Sequence, residues 1–294
     1  MSVKLIVDSA CDIPRDDVVA HGAAFLPMRV RMGEQDFLDG VDLTHDEFYT
    51  RLEQGKETAS TSQIAPGFFE EAFKRALAKD DEVVCLTISS GLSGTFGSAL
   101  MGREQLPLMQ RHRVHVVDSF NVSIGEQVLV RLAMRLVGQG ASAAEIADEL
   151  NVRKQDVRVF ALLDTLEYLR RGGRISAASA AAGTLLNVKP IVSVEAGVIA
   201  TAGKARGVKA GRSQMAKLVA QTGGIDLGLP FVAAYSGTCD EGLREFVVGN
   251  AGLFGGKAVL DEDALDGLPT SGVGATIGTH VGPGAIGVAY FARG

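Results

Sequence analysis

The apolar runs of this chain are continuous where a half-exposed strand would alternate. Lys4 to Asp8, Val83 to Ser89, Val114 to Asp118, Arg158 to Leu163, Lys189 to Val194, Phe231 to Tyr235 and Gly287 to Phe291 are apolar almost throughout. Such runs suit strands covered on both faces by helices, which points to an α/β fold. Helical patterns lie between several of them. Pro66 stands at the first position of a helix expected over Gly67 to Ala78, where Phe69, Ala72, Phe73, Ala76 and Leu77 repeat as one stripe. Ser142 with Glu145 reads as a capping box for a helix running to Leu150, and Thr238 with Glu241 as another before Leu243 to Val248. With 294 residues the chain is long enough for two domains. The charged stretch Asn151 to Arg158 follows a complete strand and helix series, so the boundary is expected there, giving domains 1–156 and 157–294.

In an open α/β sheet the carboxyl ends of the strands converge on one crevice. The two richest strand-end segments are VVCLTISSGLSGT, Val83 to Thr95, and ATIGTHVGPGAIG, Ala275 to Gly287. Ser89, Ser90, Ser93, Thr95 and His280 are therefore expected to meet at that crevice. Net charge is −6, from 29 basic and 35 acidic residues, which removes the general attraction that nucleic-acid binding needs. The start MSVKLIVDSACD is too soon interrupted for a secretory core, and no apolar run approaches the roughly 20 residues of a membrane span, so a cytoplasmic protein is expected. Cys11, Cys85 and Cys239 are dispersed and lack metal-ligand spacing, and are read as buried free thiols.

The segment SSGLSGT invites comparison with a serine hydrolase. A nucleophile elbow needs Gly-x-Ser-x-Gly, and Gly94 follows Ser93 directly. Backbone amides and hydroxyls before a helix hold a carboxylate or phosphate, so anion capture is the economical reading of Ser90 to Thr95. His280 is the one histidine in a glycine-bounded strand-end setting; taken alone, a histidine so placed is more often a hydrogen-bonded structural residue. Ser60, Thr61 and Ser62 precede the Pro66 helix and serve either a ligand or the helix start. In LEYLRRGGRIS, Leu166 to Ser176, the arginines Arg170, Arg171 and Arg174 bracket two glycines. A helix dipole and C-cap account for them, and so does docking of a phosphate or an acidic partner. Ala177 to Gly183 (AASAAAG) is small enough for a helix to approach a neighbour or a ligand closely.

Taken in series, VDSACDI, TSQ at Thr61 to Gln63, SSGLSGT, VVDS at Val116 to Ser119, LEYLRRGGRIS, LLNVKPI at Leu185 to Ile191 and THVGPGAIG resemble the DegV family. The resemblance implies a two-domain α/β protein, with an N-terminal, mainly parallel sheet flanked by helices and a second α/β domain with a mixed sheet. It further implies binding of one long-chain fatty acid by the carrier subunit of a fatty acid kinase. The ATP-binding kinase subunit is a separate chain that phosphorylates the carboxylate to an acyl phosphate. By position, Thr61, Ser93 and His280 would hold the head group, with Ser62 and Gly94 close by and Arg206, in the AGKARGVKAG loop, reaching the carboxylate. Arg170, Arg171 and Arg174 match the motif that meets the kinase subunit. Ile64 and Ala65 stand where the family more often carries proline and serine.

An acyl chain needs a long apolar sleeve, and about 15 methylenes at roughly 0.8 kcal/mol each give on the order of 12 kcal/mol of gross driving force. The tail would dominate affinity. Phosphoryl transfer needs magnesium and a nucleotide cradle, and the chain shows neither Gly-x-x-x-x-Gly-Lys-Ser/Thr nor a carboxylate pair for metal. ATP and magnesium are thus expected on the partner, with no catalytic residue, cofactor or metal of the chain's own, and with a transient membrane contact during lipid exchange. Two alternatives stay open: a hydrolase or acyl transferase with Ser93 as nucleophile and His280 as base, and a small-ketone binder like the related domain of dihydroxyacetone kinases.

Overall fold

The computed structural model describes residues 2–55, 58–79, 82–175, 187–256, 265 and 267–293. Ala177 to Gly183 lie outside them. In chain order the strands are β1 (Val3–Asp8), β2 (Ala24–Leu26), β3 (Arg29–Met32), β4 (Gln35–Leu38), β5 (Ala59–Ser62), β6 (Glu82–Thr87), β7 (Val114–Asp118), β8 (Val157–Leu162), β9 (Val188–Glu195), β10 (Val198–Arg206), β11 (Phe231–Tyr235), β12 (Thr270–Gly272) and β13 (Ile286–Phe291). The helices are α1 (Arg15–Ala20), α2 (His45–Glu53), α3 (Pro66–Leu77), α4 (Thr95–Glu104), α5 (Leu108–Arg111), α6 (Ile124–Gly138), α7 (Ala143–Arg153), α8 (Glu167–Arg171), α9 (Val208–Gln221), α10 (Glu241–Gly249) and α11 (Ala275–Val281).

Strands β2-β1-β6-β7 form a wholly parallel sheet, with Ile6 opposite Cys85 and Cys85 opposite Val116. Strands β10-β9-β8-β13-β11-β12 form a mixed sheet in which only the β11–β12 pair is parallel. The fold is therefore α/β, as the unbroken runs require: Leu5 to Asp8 and Val83 to Thr87 are buried throughout. A third sheet, β4-β3-β5, is small and antiparallel. It carries Thr61, opposite Val30.

Helix α3 begins with Pro66 at its first turn and buries Phe69, Phe73, Ala76 and Leu77, each large side chain worth roughly 1.5–3 kcal/mol of burial. Both halves of the Ser142–Glu145 capping box form at α7, and Thr44 with Glu47 makes another at α2. The box expected from Thr238 and Glu241 does not form. Helix α10 starts only after Asp240, whose carboxylate is taken by the Arg244 guanidinium at 3.0 Å, so Glu241 falls in the first turn where it cannot reach back. Cys11 and Cys85 are buried, whereas Cys239 is exposed in the turn ahead of α10, which corrects the reading of all three as buried. The AGKARGVKAG segment is likewise no loop: β10 runs through Arg206 and α9 starts two residues later, leaving Gly207 at φ 81° as the hinge.

Helix α6 lies between the parallel sheet and the mixed one, packing on β1 as well as on β8, β11 and β13. It is buried along most of its length. One apolar core consequently runs from Leu5, Val7 and Leu86 across α6 to Val159, Val232, Ala234 and Phe291. Helices α9 and α10 cover the other face of the mixed sheet through Met215, Val219, Leu243 and Phe246.

Candidate functional site

Between the three sheets and α11 lies a cavity of about 960 Å³, counted with its open mouth. Its walls come from β8 and β9 (Val159, Ala161, Val192, Val194), from α6 and α11 (Ile124, Ile277) and from the loop after β6 (Ile88, Leu92). Thr61, Ser62, Gln63, Ser93, Arg174 and His280 gather among its lining as well, so most of its chemistry is hydrocarbon with a polar fringe.

His280 sits on the last turn of α11, which corrects the strand-end setting inferred from its flanking glycines. Gly278 lies inside the helix, and Gly282 ends it at φ 72°. The helix is held at its other end by residues far away in sequence. Asp12 accepts from the Gly274 amide at 2.9 Å, and Asp39 from the Ala275 and Thr276 amides at 3.1 and 3.2 Å. At its C-terminal end the contact with α8 has no room for a side chain. A Cβ on Gly172 would lie 2.1 Å from His280 Nδ1, and one on Gly282 would lie 2.3 Å from the Tyr168 ring. These close approaches fix where the imidazole points.

The ring faces Thr61, with Nε2 and Oγ1 2.9 Å apart. Burial, with a smaller push from the nearby Arg174 cation, takes its pKa down to about 4. At neutral pH the ring is uncharged and acts as a hydrogen-bonding group. Nδ1 is buried without a partner, and a bare lone pair tolerates that better than an N–H does, which assigns the proton to Nε2. Nε2–H then donates to Thr61 Oγ1, and the threonine hydroxyl is left free to donate into the mouth.

Ser93 stands across the mouth, its Oγ accepting from the Thr95 amide at 3.3 Å and bonded to the Thr95 hydroxyl at 2.9 Å. Ser93 and His280 are thus each committed to other residues and make no nucleophile–base pair. Gly94 precedes α4 directly; a Cβ there would lie 1.9 Å from Gln63 Oε1, and Gln63 in turn donates to Ser98 Oγ at 2.9 Å. Ala65 caps α3 with no side-chain bond, so the departure from the family pattern leaves that turn to Pro66 and the buried Ile64.

The other expected residues separate into those nearby and those elsewhere. Ser89 and Ser90 turn away from the cavity: the Ser89 hydroxyl donates to Gly197 O at 2.6 Å, and the Ser90 amide to Asp118 Oδ1 at 3.1 Å. Arg206 lines a separate groove with Ser213, Gln214 and Lys217. Arg170 and Arg171 are exposed and share Glu167, at 2.6 and 2.9 Å. Arg174 instead reaches the mouth, where its Nε donates to Leu92 O at 3.2 Å and its Nη1 to Gly172 O at 2.6 Å. Beside the Thr61–His280 pair opens a second cleft of about 930 Å³, lined by Ser60, Tyr168 and Arg171 among others; Thr61, Arg174 and His280 line both spaces.

Sequence reasoning missed Gln63 as a wall residue and Gly172 as the seat of the imidazole. TSQ and RRGGR were both visible, but nothing local says what packs against them. Among the described residues no helix is long and apolar enough to cross a membrane.

The family model described as "Uncharacterised protein, DegV family" matches residues 2–293. A DegV domain-containing protein of Deinococcus radiodurans is 34% identical over 293 residues, covering 98% of each chain. Among solved structures, a DegV family protein of Thermus thermophilus, described by its fatty acid binding, is 32% identical with a TM-score of 0.81 and full coverage of both chains. DegV of Bacillus subtilis, described as a fatty acid binding protein, is 28% identical with a TM-score of 0.81, again over 100% of each chain.

Proposed function

This chain belongs to the DegV family, and on that footing we propose that it binds one long-chain fatty acid and presents the carboxylate to a separate, ATP-binding kinase subunit, which converts it to an acyl phosphate. The observation that carries the reading is a cavity walled by hydrocarbon with the hydrogen-bonded Thr61–His280 pair in its lining. The tail supplies the affinity, on the order of 12 kcal/mol gross for about 15 methylenes. The hydroxyls of Thr61 and Ser93, with Ser62 and the Gly94 turn beside them, orient the carboxylate, and the uncharged His280 polarises Thr61 without imposing a fixed charge.

Arg206 opens onto another groove and is left out of this head-group set. Arg170 and Arg171 project from α8, Arg171 into the second cleft, and a kinase subunit that docks there would meet the carboxylate through the cleft shared by Thr61, Arg174 and His280. Extraction of the purified protein with organic solvent, followed by mass spectrometry, is expected to release a long-chain acid in near-equimolar amount. If nothing is released and delipidated protein fails to take up hexadecanoic acid, the reading is wrong. Acyl phosphate formation in a mixture with a kinase subunit and ATP, absent without either chain, tests the second half.

A further inference from the structure

The cavity has a second end. Strands β8 and β9 pair antiparallel, with Leu162 opposite Ile191, Ala161 opposite Val192 and Phe160 opposite Ser193, so its wall runs from Leu163 past Ala161 and Val192 to Val159 and Val194. Four residues of strand take it about 13 Å deep. Beyond that floor lies another cleft, of about 830 Å³, and Val159, Ser193 and Val194 line both spaces. The two spaces meet at these three residues.

That cleft carries two cations and one acid. Lys154 and Arg158 line it, and among the described residues neither forms an ion pair with a carboxylate. Lys154 Nζ donates to Asp118 O at 3.1 Å and Asn151 Oδ1 at 2.8 Å and lies 4.8 Å from the centre of the Phe120 ring. Partial burial lowers its pKa below the ordinary lysine value, the sign of a cation short of solvent. Arg158 donates only to the Gln155 and Val157 carbonyls. Glu195, the one acid lining the cleft, accepts from Ser193 Oγ at 2.8 Å.

A hydrocarbon terminus emerging here would lose about 0.8 kcal/mol of burial per methylene. A terminal carboxylate would stay partly hydrated there, and charged donors would offset the hydration it gives up. We propose that this cleft receives the far end of a bifunctional chain, a long-chain α,ω-dicarboxylic acid whose first carboxylate lies at Thr61 and His280 and whose second meets Lys154 and Arg158. The inference rests on the fatty-acid reading above and names a further substrate class for the same cavity.

Titration calorimetry of delipidated protein with hexadecanedioic and hexadecanoic acids tests it. The wild type is expected to bind the diacid at least as tightly as the monoacid. Lys154→Met with Arg158→Met should weaken diacid binding about tenfold, in line with the loss of charged hydrogen bonds, and change monoacid binding less than about twofold. Retained monoacid binding also shows that the variant is folded; if it is lost, the single variant Arg158→Met, on the solvent side, carries the comparison. An unchanged ratio of the two affinities overturns the proposal and leaves fatty-acid binding standing, as does displacement of the diacid by an equal concentration of succinate, which would make the cleft an independent anion site. A wild type that binds neither acid overturns the fatty-acid reading itself.

Discussion

Replacing Gly172 with alanine adds one carbon whose place is already occupied. The backbone there is ordinary, at φ −72°, so the added carbon brings no conformational strain. Its Cβ would lie 2.1 Å from His280 Nδ1 and 2.7 Å from Cε1, and ordinary contact begins at 3.4 Å, so the imidazole must retreat by about 1.3 Å. Nε2 is already 2.9 Å from Thr61 Oγ1. The displaced ring either crowds the threonine or swings off it. Overpacking of this kind costs about 1–3 kcal/mol and loss of the hydrogen bond a further 0.5–1.5 kcal/mol or so, against a gain of at most about 1 kcal/mol from replacing glycine by alanine. Fatty-acid affinity, read by displacement of a fluorescent acid from delipidated protein, should drop about tenfold, with a lowered Tm. Gly173→Ala is the control: it meets nothing within 4 Å but sits at φ 68°, so it should cost stability and spare binding. Full affinity in Gly172→Ala, or equal losses in both variants, would refute the argument that this contact aims the histidine.

The low pKa of His280 sets a sign. Between about 4 and the ordinary 6.5 the unfolded chain binds more protons at this position than the folded one, so stability should fall as pH drops through that window; His280→Gln should remove that part of the slope in urea unfolding at pH 4.5 and 7. Arg174→Ala removes the smaller of the two causes, and an NMR titration should show the His280 pKa rising part of the way back; an unmoved titration would deny the arginine any influence. Arg170→Ala with Arg171→Ala should leave lipid retention intact while acyl phosphate formation with the kinase subunit falls, and a parallel loss of both would count against docking at α8.

The parallel sheet was legible because burial on both faces leaves an unmistakable run of apolar residues, and the bounds of β1, β6 and β7 differ from expectation by two residues or fewer. The small antiparallel sheet was not, since Arg29, Arg31 and Gln35 face water from strands of four residues and break any apolar pattern. Strand β10 hid for a related reason: it is the edge of the mixed sheet, and its glycine and lysine belong to a bulge and a solvent face. For the site, Thr61, Ser93 and His280 lie along one cavity mouth. Their shared setting came through resemblance to a family, because residues 219 apart carry no local sign that they touch. Gly172 caps α8 and Gly173 follows it at φ 68°, which a glycine pair after arginines suggests; the closeness of the His280 ring is a tertiary fact.

The helix that bears His280 is gripped at its start by Asp12 and Asp39, more than 230 residues upstream. During synthesis the two aspartates leave the ribosome early and wait, without their amides, until nearly the whole polypeptide has emerged. On the proposed function, the head-group site is then completed only after the cavity walls of β8 and β9 have been made. A product stalled before residue 275 would carry Thr61 and Ser93 without the imidazole that engages the threonine.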